Sequence, residues 1–309
     1  MILDKILIDF EFEKRPQKTI TTYRNHTMKE EVQKINLEDY IQSGEGGTAL
    51  TYTHKDGKTL AKLYNPGFEA DRAAAEFFTA RTVFEMGIPT PEPYRLVTDG
   101  KRFGAEYELI KNKRSFARII SEEPERLQEI SLTFARAAQE LHARKADTSR
   151  LRSYKEVLTR FYLEKNLVPE EYKRLALAFL EKVPEADTCL HGDLQIGNII
   201  TDGDRTLWID VGEFSHGLPE WDISILWTMA HNMKADRSVN LFHITPETFN
   251  KHWNIFFPAY LRTTDPGELE AYTRRLFPFY AAKVPYVFDM AYHTSLPAEA
   301  LQKIVQLFH

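Results

Sequence analysis

The residues best suited to chemistry lie in one short run, His191-Gly192-Asp193-Leu194-Gln195-Ile196-Gly197-Asn198, followed by Asp210-Val211-Gly212. Phosphoryl transfer asks for a carboxylate that orients or deprotonates an attacking hydroxyl. It also asks for oxygen ligands that hold a magnesium ion on nucleotide phosphates. Asp193 fits the first role, and Asn198 and Asp210 fit the second. An Asp and an Asn five residues apart on a tight loop can face one cavity. The hairpin that follows, turning at Thr201-Asp202-Gly203-Asp204, returns the chain so that Asp210 meets that cavity from the next strand. A plain turn and an exposed strand end would account for each element singly, but not for the constellation.

The elements that must position these residues can be read on either side. Residues 1–34 form an N-terminal extension in which Ile6 to Glu13 alternates like a strand, and Met28 offers a second possible start. Residues 35–110 read as an α+β lobe. Tyr40-Ile41-Gln42 leads into Ser43-Gly44-Glu45-Gly46-Gly47, and Ala49 to His54 and Thr59 to Tyr64 are strands joined by Lys55-Asp56-Gly57-Lys58. Ala70 to Met86 is one helix, stopped by Gly87, Pro89 and Pro91. Tyr94 to Val97 and Gly104 to Ile110 make a second hairpin. Residues 111–309 turn mainly helical, with helices expected at Pro124 to Ala143 and at Ser153 to Lys182, the latter interrupted near Pro169.

The run His-Gly-Asp with Leu194 after it, Asn198 five positions on and a later Asp-x-Gly resembles the aminoglycoside phosphotransferase and choline kinase-like family. The resemblance implies a two-lobed protein kinase-like fold, with an N-terminal antiparallel sheet plus one helix and a mainly helical C-terminal lobe. It implies ATP and Mg2+ as cofactors. In that frame Asp193 is the catalytic carboxylate, and His191 orients the loop and does not move a proton. Asp222 braces the loop by hydrogen bonding to its backbone, and Asn198 and Asp210 hold the metal. Gly44, Gly46 and Gly47 let backbone N–H groups approach phosphates, Lys62 reaches those phosphates, and Glu76 is its ion-pair partner, with Glu69 and Glu85 as rivals. Glu108 and Ile110 fall in the interlobe hinge, whose backbone meets the adenine. The glycine loop departs from the kinase pattern, having Ala49 at the third glycine position and Thr51 at the usual valine position.

Composition limits the partners. The net charge of −5, from 45 acidic against 40 basic residues, gives no surplus suited to nucleic acid. Cys189, the single cysteine, excludes an internal disulfide and is expected to pack as a small buried hydrophobe. No stretch reaches the roughly 20 apolar residues that span a bilayer, so no membrane association and a cytoplasmic location are expected. The eleven residues between Asp210 and Asp222 (211 to 221) leave little room for the activation segment of a protein kinase, which favours a small-molecule hydroxyl acceptor. Residues 223–309 hold eight Lys and Arg against seven Asp and Glu, so they lack the acidic surplus that a polycationic aminoglycoside would want. Two other readings stay open: a nucleotide-binding pseudokinase or scaffold, which the complete set of site residues disfavours, and a protein kinase with a short activation segment.

Overall fold

The computed structural model describes residues 31–309 apart from Gly46 and Gly47. The strand-like run at Ile6 to Glu13 and those two glycines lie outside the described residues. The chain divides into two compact units that interleave in sequence. One holds residues 31–114 together with Ile199–Phe214, and the other holds Ser115–Asn198 and Ser215–His309.

The first unit is built on a six-stranded sheet. Its strands are β1 (Gln33–Lys34), β2 (Tyr40–Glu45), β3 (Ala49–His54), β4 (Thr59–Tyr64), β5 (Pro93–Thr98) and β6 (Phe103–Glu108), in the order β1-β5-β6-β4-β3-β2. All neighbours are antiparallel except β1, which runs parallel to β5. The β3–β4 turn works because Gly57 takes a left-handed φ of 69° and Asp56 accepts the Lys58 amide through its side chain at 2.9 Å. Helix α1 (Ala70–Glu85) buries Ala73, Phe77, Ala80 and Val83. It ends where Gly87, at φ 72°, donates its amide to the Phe84 carbonyl. The hairpin Ile199–Thr201/Thr206–Trp208 joins this unit by packing Ile200 and Leu207 against Ile110 and by donating the Trp208 amide to the Pro89 carbonyl at 2.8 Å.

The second unit is helical: α2 (Phe116–Glu122), α3 (Leu127–His142), α4 (Tyr154–Glu164), α5 (Glu170–Lys182), α6 (Glu220–Asn232), α7 (Ala235–Phe242), α8 (Pro246–Leu261), α9 (Pro266–Tyr292) and α10 (Ala298–Ile304). The helix expected from Pro124 begins as a single 3-10 turn, Pro124–Arg126, before α3. The break in the long expected helix falls at Lys165, and α5 restarts behind Pro169, whose ring fits the start of a helix and not its interior. Trp221 packs fully buried against Phe279 and Phe179, with ring centroids 4.6 and 6.2 Å away. Among the described residues no helix is long and apolar enough to cross a membrane.

Candidate active site

In the helical unit, strand Cys189–Leu190 pairs with Ser215–His216 and delivers the loop 191–198. Leu194 and Ile196 of that loop are fully buried and peg it to the core. Gly192 turns the chain at φ 86°, a conformation that favours glycine. Asp222, completely buried at the first turn of α6, accepts the amides of His191 at 2.7 Å and Gly192 at 2.9 Å, one on each carboxylate oxygen. The brace expected from sequence is therefore in place. Burial alone would raise the Asp222 carboxyl, but His142, Lys283 and His191 together hold it below the usual carboxylate range.

His191 faces its own loop: its Nδ1 accepts the Asp193 amide at 3.3 Å. The Asn198 side-chain nitrogen donates to the Asp193 carbonyl at 3.0 Å and to its Oδ2 at 2.8 Å. Asp193 is thus the exposed end of an arrangement tied down by the buried Asn198. Cys189 is buried, and burial pushes its thiol up to about 11, which suits packing and not nucleophilic chemistry.

The sheet unit carries the other residues. The ammonium of Lys62, on β4, pairs directly with the Asp210 carboxylate, half of whose side chain is open to solvent. The sequence pattern and its resemblance pair Lys62 with Glu76; the structure pairs it with Asp210. Glu76, on α1, instead accepts the Tyr64 hydroxyl and lies 3.8 Å from Arg72. Its charge still acts on Lys62. Burial would lower the Lys62 ammonium, yet the fields of Asp210 and Glu76 raise it above its ordinary value. Burial likewise raises the Glu76 carboxyl, against the pull of Lys62 and Tyr64. Asp210 sits at a left-handed φ of 58°, and Gly212 lies so close to Glu76 that a Cβ there would come within 2.9 Å of its Oε2. Tyr107, which shares the fields of Lys62 and Asp210, has its hydroxyl pushed up to about 12, first by burial.

Two other expectations are modified. Gly44 stands opposite Thr51 within the sheet, where an added Cβ would meet the Thr51 hydroxyl at 2.6 Å, so close strand packing is a further demand for glycine there. Glu108 donates its amide to the Glu92 carbonyl at 2.8 Å and binds Arg205 through its side chain at 3.0 Å. That amide is committed to the protein and is not offered to a base. Ile110 is buried on the hairpin cluster. The neighbouring Glu106 is taken up internally by Tyr40, Thr59 and Arg95 at 2.6–2.8 Å.

Sequence reasoning missed His142, Tyr64 and the role of Lys283. The contacts of His142 and Lys283 with the loop and its brace span 80 to 91 residues, which no local pattern encodes. Lys283 did carry a signal, as the single charge in the apolar run Phe277 to Phe288.

A family model described as "Phosphotransferase enzyme family" matches residues 41–244, about two-thirds of the chain. The chain belongs to the phosphotransferase enzyme family. The fold of this phosphotransferase is similar to that of a choline/ethanolamine kinase family protein from Mesorhizobium loti, at 14% identity and TM-score 0.50, over 87% of this chain and 88% of that one. It is also similar to aminoglycoside phosphotransferase APH(4)-Ia, at 15% identity and TM-score 0.55, over 87% and 93%. A thermostable mutant of the latter, solved as a ternary complex with ADP and hygromycin B, matches at 14% identity and TM-score 0.54, over 87% and 93%. These likenesses show a protein kinase-like fold. No curated protein matches the chain.

The donor atoms suit a magnesium ion. A hard, octahedral cation on a nucleotide takes one or two protein oxygens and completes its shell with phosphate and water. The exposed Asp210 carboxylate and the Asn198 amide oxygen are of that kind.

Proposed function

We propose that this phosphotransferase moves the γ-phosphate of ATP to a hydroxyl of a small molecule by direct in-line transfer. The observation that carries the reading is the Asn198–Asp193 contact at 2.8 Å on a loop whose backbone is tied to buried Asp222. A base for a weakly acidic hydroxyl has to be held in place and left open to the acceptor, and Asp193 is both. The ternary complex of the APH(4)-Ia mutant with ADP and a small molecule supports the same division between donor and acceptor.

In this reading the acceptor oxygen attacks the γ-phosphorus as the bond to the ADP oxygen breaks. The acceptor's proton passes to the Asp193 carboxylate. Lys62 gives up Asp210 to meet the phosphates, and Glu76 keeps the lysine's position through its charge. Asn198 and Asp210 would hold a magnesium ion, whose contribution is to neutralise phosphate charge. His191 and Asp222 fix the loop. The acceptor is a sugar, an amino alcohol or a similar small hydroxyl compound, and the short stretch between Asp210 and Asp222 argues against a peptide.

The test is thermal stabilisation by ADP with and without Mg2+. Wild type should gain stability only with both present, Asp210→Ala should lose most of the gain, and Asp193→Ala should keep it. Stabilisation of Asp210→Ala equal to that of wild type would refute the assignment.

A further inference from the structure

Lys283 is fully buried in α9, 91 residues downstream of Gly192, and yet its ammonium donates to the Gly192 carbonyl at 2.8 Å. A second bond goes to the Trp221 carbonyl at 2.9 Å, at the start of α6, and the ammonium lies 4.6 Å from the Tyr154 ring centroid. A lysine without solvent is costly unless its charge is met, so this placement needs a return. Gly192 is the residue that Asp222 grips from the other side through its amide. Anionic and cationic side chains, both buried, therefore hold the donor and the acceptor of the same glycine, one residue before Asp193.

The segment of α9 around Lys283 is built to hold that position. Pro285 has no amide to give the Ala281 carbonyl four residues back, and the Tyr172 hydroxyl takes that carbonyl at 2.7 Å. The next carbonyl, of Ala282, accepts the Tyr162 hydroxyl at 2.9 Å. One buried tyrosine thus replaces the donor that the proline lacks, and a second bonds the neighbouring carbonyl.

The geometry points to Lys283 as a positioning residue for Asp193: together with Asp222 it clamps both peptide groups of Gly192 and so sets where the Asp193 carboxylate stands. The inference rests on the phosphotransfer reading. Its test compares wild type, Lys283→Met, Lys283→Arg and Asp193→Asn in the slow release of inorganic phosphate from Mg-ATP to water, with calorimetric ADP affinity and thermal unfolding measured on each. Lys283→Met should fold, bind ADP as wild type does, and lose kcat by about 10- to 100-fold with KM for ATP little changed. Lys283→Arg, which keeps the charge and the donors, should recover part of the loss. A folded Lys283→Met with kcat within about twofold of wild type overturns the inference. So does a fall in ADP affinity that accounts for the lost rate. Should Lys283→Met fail to fold, Lys283→Gln keeps one donor and carries the same expectation. If neither folds, Lys283 serves the core as a whole and the inference is wrong. Phosphate release by Asp193→Asn equal to wild type would instead defeat the phosphotransfer reading itself.

Discussion

The two regions that carry the site residues are held by opposite means. Around the loop 191–198 the supporting charges, Asp222 and Lys283, are fully buried, and each is spent on backbone groups. Around Lys62 the charges meet each other: Lys62 pairs with a half-open Asp210, and Glu76 is held by a tyrosine hydroxyl. A charge bonded to buried peptide groups has nothing to exchange for, so the loop backbone is tied in place without a ligand. An ion pair with one partner half open to water can trade that partner for a phosphate or a cation. The difference teaches that position is fixed in one region and charge is exchangeable in the other, as the proposed base and the proposed nucleotide grip would respectively require.

The comparison breaks most visibly at Asp222. Asp222→Ala leaves two buried amides without an acceptor and Lys283 without its counter-charge. The expected loss is about 3–5 kcal/mol in urea unfolding. Lys62→Ala should be much milder for stability, because Asp210 can turn to solvent. It should instead weaken ADP binding by about 10- to 100-fold, read by calorimetry, the worth of a charge-assisted hydrogen bond. Tyr64→Phe removes one donor from Glu76 and should cost about 1 kcal/mol. A larger loss for Tyr64→Phe than for Asp222→Ala would reverse the contrast.

The smallest effect is in acid, where the two regions differ in sign. The Asp222 carboxyl is depressed in the folded state, so its stabilisation is present above the ordinary aspartate pKa of about 3.9 and is lost as pH falls through the lower folded value. The Glu76 carboxyl is raised, so folding favours its protonated form. That contribution is present below the ordinary glutamate pKa of about 4.3 and is lost as pH rises through the folded value. Midpoints of thermal unfolding should rise more steeply with pH above about 4.3 in Glu76→Gln than in wild type. Below about 3.9 they should rise less steeply in Asp222→Asn. Parallel curves for all three proteins would contradict the assignment of sign.

Most of the sheet unit was legible because its signals are local. The turn Asp56-Gly57, the stop at Gly87 and the alternation of β3 and β4 each lie within a few residues of what they determine. Strand β1 escaped notice, since two residues carry no period and only its pairing with Val97–Thr98 defines it. In the candidate site, the Asp193–Asn198 contact was readable from spacing, and the Asp222 brace from resemblance. The Lys62–Asp210 pair was not, because the sequence cannot weigh two carboxylates against one ammonium. Tyr64 won Glu76 as a neighbour on the same sheet face, two residues beyond Lys62. His142 and Lys283 reach the brace and the loop across long chain separations, so only the folded chain reveals them.

The central claim is that Asp193 is the base of a phosphoryl transfer to a small hydroxyl acceptor. The direct measurement is incubation of wild type and Asp193→Asn with γ-labelled Mg-ATP and a panel of sugars, amino alcohols, nucleosides and generic protein substrates. Label should pass from ATP to a small molecule in wild type and fall by about 100- to 10,000-fold in Asp193→Asn, with ADP affinity preserved. Label appearing on protein alone, no transfer by wild type to any acceptor or to water, or equal transfer by both proteins would contradict the account.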